Sequence, residues 1–86
     1  MPEICRFYGI VIKMYFDDHT PPHFHAEYAE HEALIDVNTL SVFSGKLPPR
    51  ALGLVTEWAS LHKKELFSDW EKAKNLDPLD KIEPLP

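Results

Sequence analysis

Two periods of hydrophobic alternation run along this chain, and the change from one to the other falls at Pro48-Pro49. Before it, short apolar stretches are separated by turn-forming residues. Residues 7–16 are nearly all apolar or aromatic and rich in β-formers, which predicts a single strand. Strand side chains alternate between faces. Tyr8, Ile10, Ile12, Met14 and Phe16 therefore share the expected core face, and Phe7, Gly9, Val11, Lys13 and Tyr15 share the other. Gly9 marks a bulge or a close backbone approach. Residues 17–22 predict a turn, because Thr20 and Pro21 each precede a proline and are pushed out of the α region. In the next stretch, residues 23–28, Phe24, Ala26 and Tyr28 point one way and His23, His25 and Glu27 the other. A hairpin turn at 29–31 leads to a third strand over 32–37, with Ala33, Ile35 and Val37 on one face. Asn38-Thr39 forms a turn, and a weaker fourth strand covers 40–44.

After Pro48 the period becomes helical. Proline suits the first helical turn, where its missing N–H is not needed. Ala51, Val55, Trp58, His62, Leu66, Trp70 and Ala73 recur at steps of three or four, the spacing of one helix face. Glu65 and Asp69 lie off that stripe. The helix runs from 49 to about 75, either continuous or broken near 61–64. Residues 76–86 hold three prolines and no periodicity, which predicts an extended tail that Ile82 and Leu85 would pin to the body or to a partner. The expected fold is α+β: a four-stranded antiparallel sheet packed on a C-terminal helix in one domain, 1–75, with a tail over 76–86.

Composition changes this picture little. The chain has 86 residues, 44% hydrophobic and 27% charged, as in ordinary globular domains. The lone Cys5 excludes an internal disulfide framework. It has no activating neighbour except Arg6 and reads as inert. No apolar run reaches the ~20 residues that span a bilayer, and the first residues lack the features of a signal peptide. A cytoplasmic protein without membrane contact is expected. The net charge of −5 argues against broad RNA binding, which relies on many basic contacts to phosphate, and suits a basic protein partner. An exposed edge strand or the tail would support a homodimer.

The chemistry concentrates at His19-x-x-x-His23-x-His25. Two histidines at i and i+2 on one strand face stand about 7 Å apart at Cα. With His19 as a third ligand, and Asp17 or Glu27 beside them, they could hold Zn²⁺ or Ni²⁺. A second reading needs no metal: His23 and His25 act as general base and general acid on an RNA phosphodiester, with Lys13 stabilising the developing charge and Tyr15 stacking on a base. The third reading is structural, with the imidazoles bracing the turn. His31 reads as a turn residue and His62 as a satisfied histidine on the buried helix stripe. Trp58 and Trp70 read as core anchors. Arg50, near the helix start, could meet a phosphate there, but reads first as solvated or salt-bridged.

The strings Pro-Glu-Ile-x-Arg-Phe-Tyr-Gly-Ile-Val-Ile at 2–12 and Asp-His-x-Pro-Pro-His-Phe-His-Ala-Glu-Tyr at 18–28 resemble the DUF4160 family. The likeness continues through Gly45-Lys46-Leu47-Pro48, Arg50-Ala51-Leu52 and Glu57-Trp58-Ala59-x-Leu61-His62. Cys5 stands where the family pattern leads one to expect a small polar residue. These are small, mostly bacterial proteins with no assigned biochemical function, so the resemblance transfers no catalytic residue. It implies a gene neighbour encoding another small protein, and hence a two-component, toxin–antitoxin-like system.

Overall fold

The structure, a computed structural model, describes residues 3–16 and 21–86. Five strands precede two helices: β1 (Glu3–Phe7), β2 (Ile10–Lys13), β3 (His23–Tyr28), β4 (His31–Asp36), β5 (Val42–Lys46), α1 (Pro49–Leu61) and α2 (Lys63–Lys74). The strands form one antiparallel sheet in sequence order, β1 to β5. The fold is α+β as expected, but with five strands in place of four and two helices in place of one.

The extra strand comes from a turn hidden inside an apolar run. Phe7 pairs directly with Ile10, leaving Tyr8-Gly9 as a two-residue loop. Both loop residues have positive φ, 50° and 80°. Primed turns need this conformation because their twist matches that of the flanking strands. The single strand expected over 7–16 is thus a hairpin, and the expected faces change with it. Residues paired across a hairpin point the same way, so Phe7 joins Ile10 and Ile12 in the core while Tyr8 and Phe16 are exposed.

Beyond the hairpin the alternation holds. Phe24 pairs with Ile35 and Ala26 with Ala33, and all four are fully buried. The β3–β4 loop is Ala29-Glu30. Between β4 and β5, the Asp36 carboxylate accepts the N–H groups of Asn38 and Thr39 at 2.7 and 3.2 Å, an aspartate turn.

The helical stripe covers this inner face. Ala51, Val55, Trp58, Leu66, Trp70 and Ala73 are buried. Trp58 packs at 5.5 Å from the Phe7 ring and edge-on at 5.9 Å from Phe24. The helix breaks at His62, which ends α1 and begins α2. Its ring is half-buried, and its Nδ1 shares a 2.5 Å hydrogen bond with Glu65. The end of α2 is a Schellman closure: Leu76 N–H donates to Ala73 and Asp77 N–H to Lys72, with Leu76 left-handed at φ 59°.

Residues 77–86 form neither helix nor strand and are docked. Ile82 and Leu85 belong to the core. Ile82 N–H donates to the Ile4 carbonyl at 2.9 Å, meeting the edge of β1. The Trp58 indole N–H donates to the Glu83 carbonyl at 2.8 Å, and the Tyr8 hydroxyl donates to the Pro86 carbonyl. Cys5 is buried and burial raises its thiol pKa, in keeping with an inert side chain. No helix among the described residues is long and apolar enough to cross a membrane.

Candidate functional site

Strand register assembles the site on the outer face of β2–β3–β4. Lys13 pairs with His25, and His25 with Leu34; Glu27 stands between Val11 and Glu32. Two glutamates therefore sit directly opposite each other, an unfavourable placement unless each meets a donor. Each does. The Lys13 ammonium lies 3.1 Å from the Glu27 carboxylate, and this hydrogen bond raises the lysine pKa. The His25 Nδ1 lies 3.2 Å from the Glu32 carboxylate. A carboxylate accepts, so His25 Nδ1–H is the donor in this contact.

Rings close the other side. Tyr15 meets His25 edge-on at 4.6 Å, and the His23 and His25 rings are 5.4 Å apart. His23 itself is 4% exposed. Phe43 and Trp70 cover it at 5.3 and 5.2 Å, and its Nδ1 donates to the Pro21 carbonyl at 2.7 Å. The expectation that His23 and His25 share an open reactive face is corrected here. Parity does separate both from Phe24, yet His23 is enclosed by a tryptophan from α2. Only His25 keeps the partial exposure that contact with another molecule needs, its side chain being 14% exposed.

The structure thus brings together Lys13, His23 and His25 of the sequence-derived candidates. His19 and Asp17 lie outside the described residues. Among the described residues no group of three or more His, Cys, Asp or Glu side chains is arranged to hold a metal ion. His31 opens β4, 3.6 Å from Glu30. Sequence reasoning missed Glu32 as the carboxylate that orients His25; its signal was the β3–β4 hairpin itself, which sets residues 27 and 32 opposite each other once the loop is two residues long.

It also missed Asp69. Placed off the helix stripe by sequence, Asp69 is 1% exposed. One oxygen accepts the Asp80 N–H at 2.9 Å; the other is buried with no hydrogen-bond partner. Burial raises its pKa above the usual 3.8, and nearby Asp80 adds to this while the Asp80 N–H and Lys72 oppose it. Lys72 itself pairs with the Asp80 carboxylate. Because the folded state holds the Asp69 proton more tightly than the unfolded chain, this residue favours folding most at pH below its unfolded value. That contribution is lost as pH rises through the raised folded value. Asp69→Asn keeps an oxygen for the Asp80 N–H and removes the charge. Urea titrations at pH 4 to 7 are expected to show the variant gaining on the parent protein as pH rises; a constant difference would mean that Asp69 is not a buried charge.

A family model described as a domain of unknown function, DUF4160, matches residues 9–71. The match takes in Lys13, His23, His25, Glu27 and Glu32, and runs past α1 to include Trp70. No curated protein and no solved structure matches the chain.

Proposed function

We propose, taking as premise that this chain belongs to the DUF4160 family, that it is the partner-binding half of a toxin–antitoxin-like pair in a bacterial cytoplasm. In this reading the outer face of β2–β3–β4 docks a small basic protein encoded nearby. One observation carries this: Glu27 and Glu32 stand side by side on that face, Glu27 held by the Lys13 ammonium and Glu32 by the His25 ring N–H. With Asp36 four residues beyond Glu32 on the same face of β4, the acidic groups outnumber Lys13 and His25. Half-buried Val11 and Leu34 lie among them. Paired charges interspersed with apolar side chains suit a protein partner, and an acidic excess speeds encounter with a basic one. The net charge of −5 points the same way.

The test is co-expression with the neighbouring small protein. A stable complex is expected. Glu32→Lys should weaken it at least about tenfold, since it places a like charge against the partner, while melting stays cooperative. Hydrogen exchange should slow on β2 to β4 in the complex. A complex indifferent to Glu32→Lys, or protected only on the helices, would overturn the docking surface.

One observation favours a second reading. A histidine whose Nδ1 is held by a glutamate is the arrangement of a general base, and His25–Glu32 has it. Acting on RNA, His25 would take a 2′-hydroxyl proton beside Lys13. The enclosure of His23 and the engagement of Lys13 by Glu27 weigh against it. Growth arrest on expression, relieved by His25→Ala in a stably folded protein, would transfer the assignment to this chemistry. Stoichiometric zinc or nickel after tag-free purification, lost on the same substitution, would transfer it to a metal site completed by His19.

A further inference from the structure

At the end of the sheet formed by the β1–β2 loop, a cleft of about 620 Å³ opens between the sheet, α1 and the tail. It shares none of the charged residues of the outer face. Ile10, Leu54 and Leu85 supply apolar lining, and the rings of Tyr8 and Tyr28 flank it. Two charges enter from α1, Arg50 and Glu57. They are seven residues apart, two helical turns, so both project on the same side of α1 with about 10 Å of axial rise between them. Among the described residues, neither side chain has an ion pair, and no hydrogen bond engages the Tyr28 hydroxyl.

We infer that this cleft binds an extended peptide segment with an acidic residue at one end, apolar residues in the middle and a basic residue at the other. Charge complementarity fixes the ends: a carboxylate at Arg50, reinforced by the positive start of α1, and an ammonium or guanidinium at Glu57. Spacing fixes the length. Extended chain rises about 3.3 Å per residue, so charges three residues apart span the same 10 Å. A free amino acid is too short to reach both. The neighbouring wall shows how main chain is held here. The tail is itself a proline-containing segment outside helix and strand, gripped by ring donors on its carbonyls: the Tyr8 hydroxyl on Pro86 and the Trp58 indole on Glu83. Tyr28 offers a further donor of the same kind on the other side of the cleft. Aromatic-lined grooves of this sort favour extended, proline-containing ligands, whose ordering entropy is low.

The experiment uses the full chain and a pool of acetyl-Asp-X-X-Lys-amide tetrapeptides, X being Leu, Val, Pro or Phe, followed by calorimetry and backbone NMR. Saturable binding is expected, with shifts at Ile10, Leu54 and Leu85. Replacing Asp and Lys in the peptide by Asn and Gln should weaken it at least about tenfold, and so should Arg50→Glu or Glu57→Lys alone. Both positions are on the exposed surface of α1, and a glutamate near a helix start is favourable, so folding is preserved. The double variant R50E/E57K should regain affinity for the pool with Lys first and Asp last. No saturable binding, binding blind to either charge, or shifts confined to β2–β4 would overturn the assignment. The last of these would leave the outer-face reading standing, and loss of the outer-face complex would leave this one standing.

Discussion

Replacing Trp58 by alanine is expected to cost about 3–5 kcal/mol, the range for removing a large buried aromatic. For a domain whose whole stability is on the order of 5–15 kcal/mol, that is enough to leave much of the protein unfolded near its usual melting range. The size of the effect follows from what the ring joins. It is fully buried, it touches Phe7 from β1 and Phe24 from β3, and it lies 5.6 Å from the His62 ring at the helix break. Its N–H also holds the tail through Glu83. Trp58→Phe separates the two roles, because it keeps an aromatic ring and deletes the donor. About 1–3 kcal/mol is expected from leaving a part-buried carbonyl unsatisfied. Hydrogen exchange gives the decisive reading: the Ile82 amide, bonded to Ile4, should lose protection in Trp58→Phe before the amides of β3 do. Equal protection of Ile82 in both proteins would mean that Ile82 and Leu85 anchor the tail without the indole.

Much of this architecture is legible in the chain because burial imposes a period. The stripe from Ala51 to Ala73 and the alternation through Phe24, Ala26, Ala33 and Ile35 are each repeated often enough to fix which face is inner. The first hairpin escapes because both of its strands are apolar and its loop contains no asparagine or aspartate. Tyr8 adopts the left-handed conformation that those residues usually supply. Only Gly9 carried a trace of the turn, and a lone glycine in an apolar run fits a bulge equally well. Counting through the loop as though it were strand reverses the parity of Phe7, and so puts Phe7 on the outer face and Tyr8 on the inner one.

The site is legible to the same depth and no further. Parity puts His23, His25, Glu27 and Lys13 on the face opposite Phe24, and the register agrees. What parity cannot give is the cover over each side chain. Trp70 reaches His23 from 47 positions along the chain, and Asp80 reaches Asp69 from the tail. Both contacts join segments without a shared period, so no local pattern records them. His23 and Asp69 are each closed over by such a contact.

Gly45→Ala is the second large effect, and it couples the fold to the site. Gly45 lies in β5 opposite Ala33 with φ at 72°, a conformation strained for any residue with a side chain. Strain is the smaller part. A Cβ built on Gly45 would sit 2.1 Å from the Glu32 carbonyl oxygen and 3.2 Å from the Ala33 Cα, both of them backbone atoms in the middle of the sheet. No side chain can swing away to make room, so β5 must separate from β4 or Glu32 must shift. A cost of about 3 kcal/mol or more is expected, the backbone penalty adding to the loss of ladder pairing. Glu32 is also the residue whose carboxylate holds His25. The substitution should therefore do more than lower the melting temperature: in the fraction that stays folded, the His25 ring resonances should move while those of His62, on the helices, do not. Movement of neither ring, with stability lowered by the full amount, would show β5 peeling away while β3 and β4 keep their register, and the site would then be independent of the strand that flanks it.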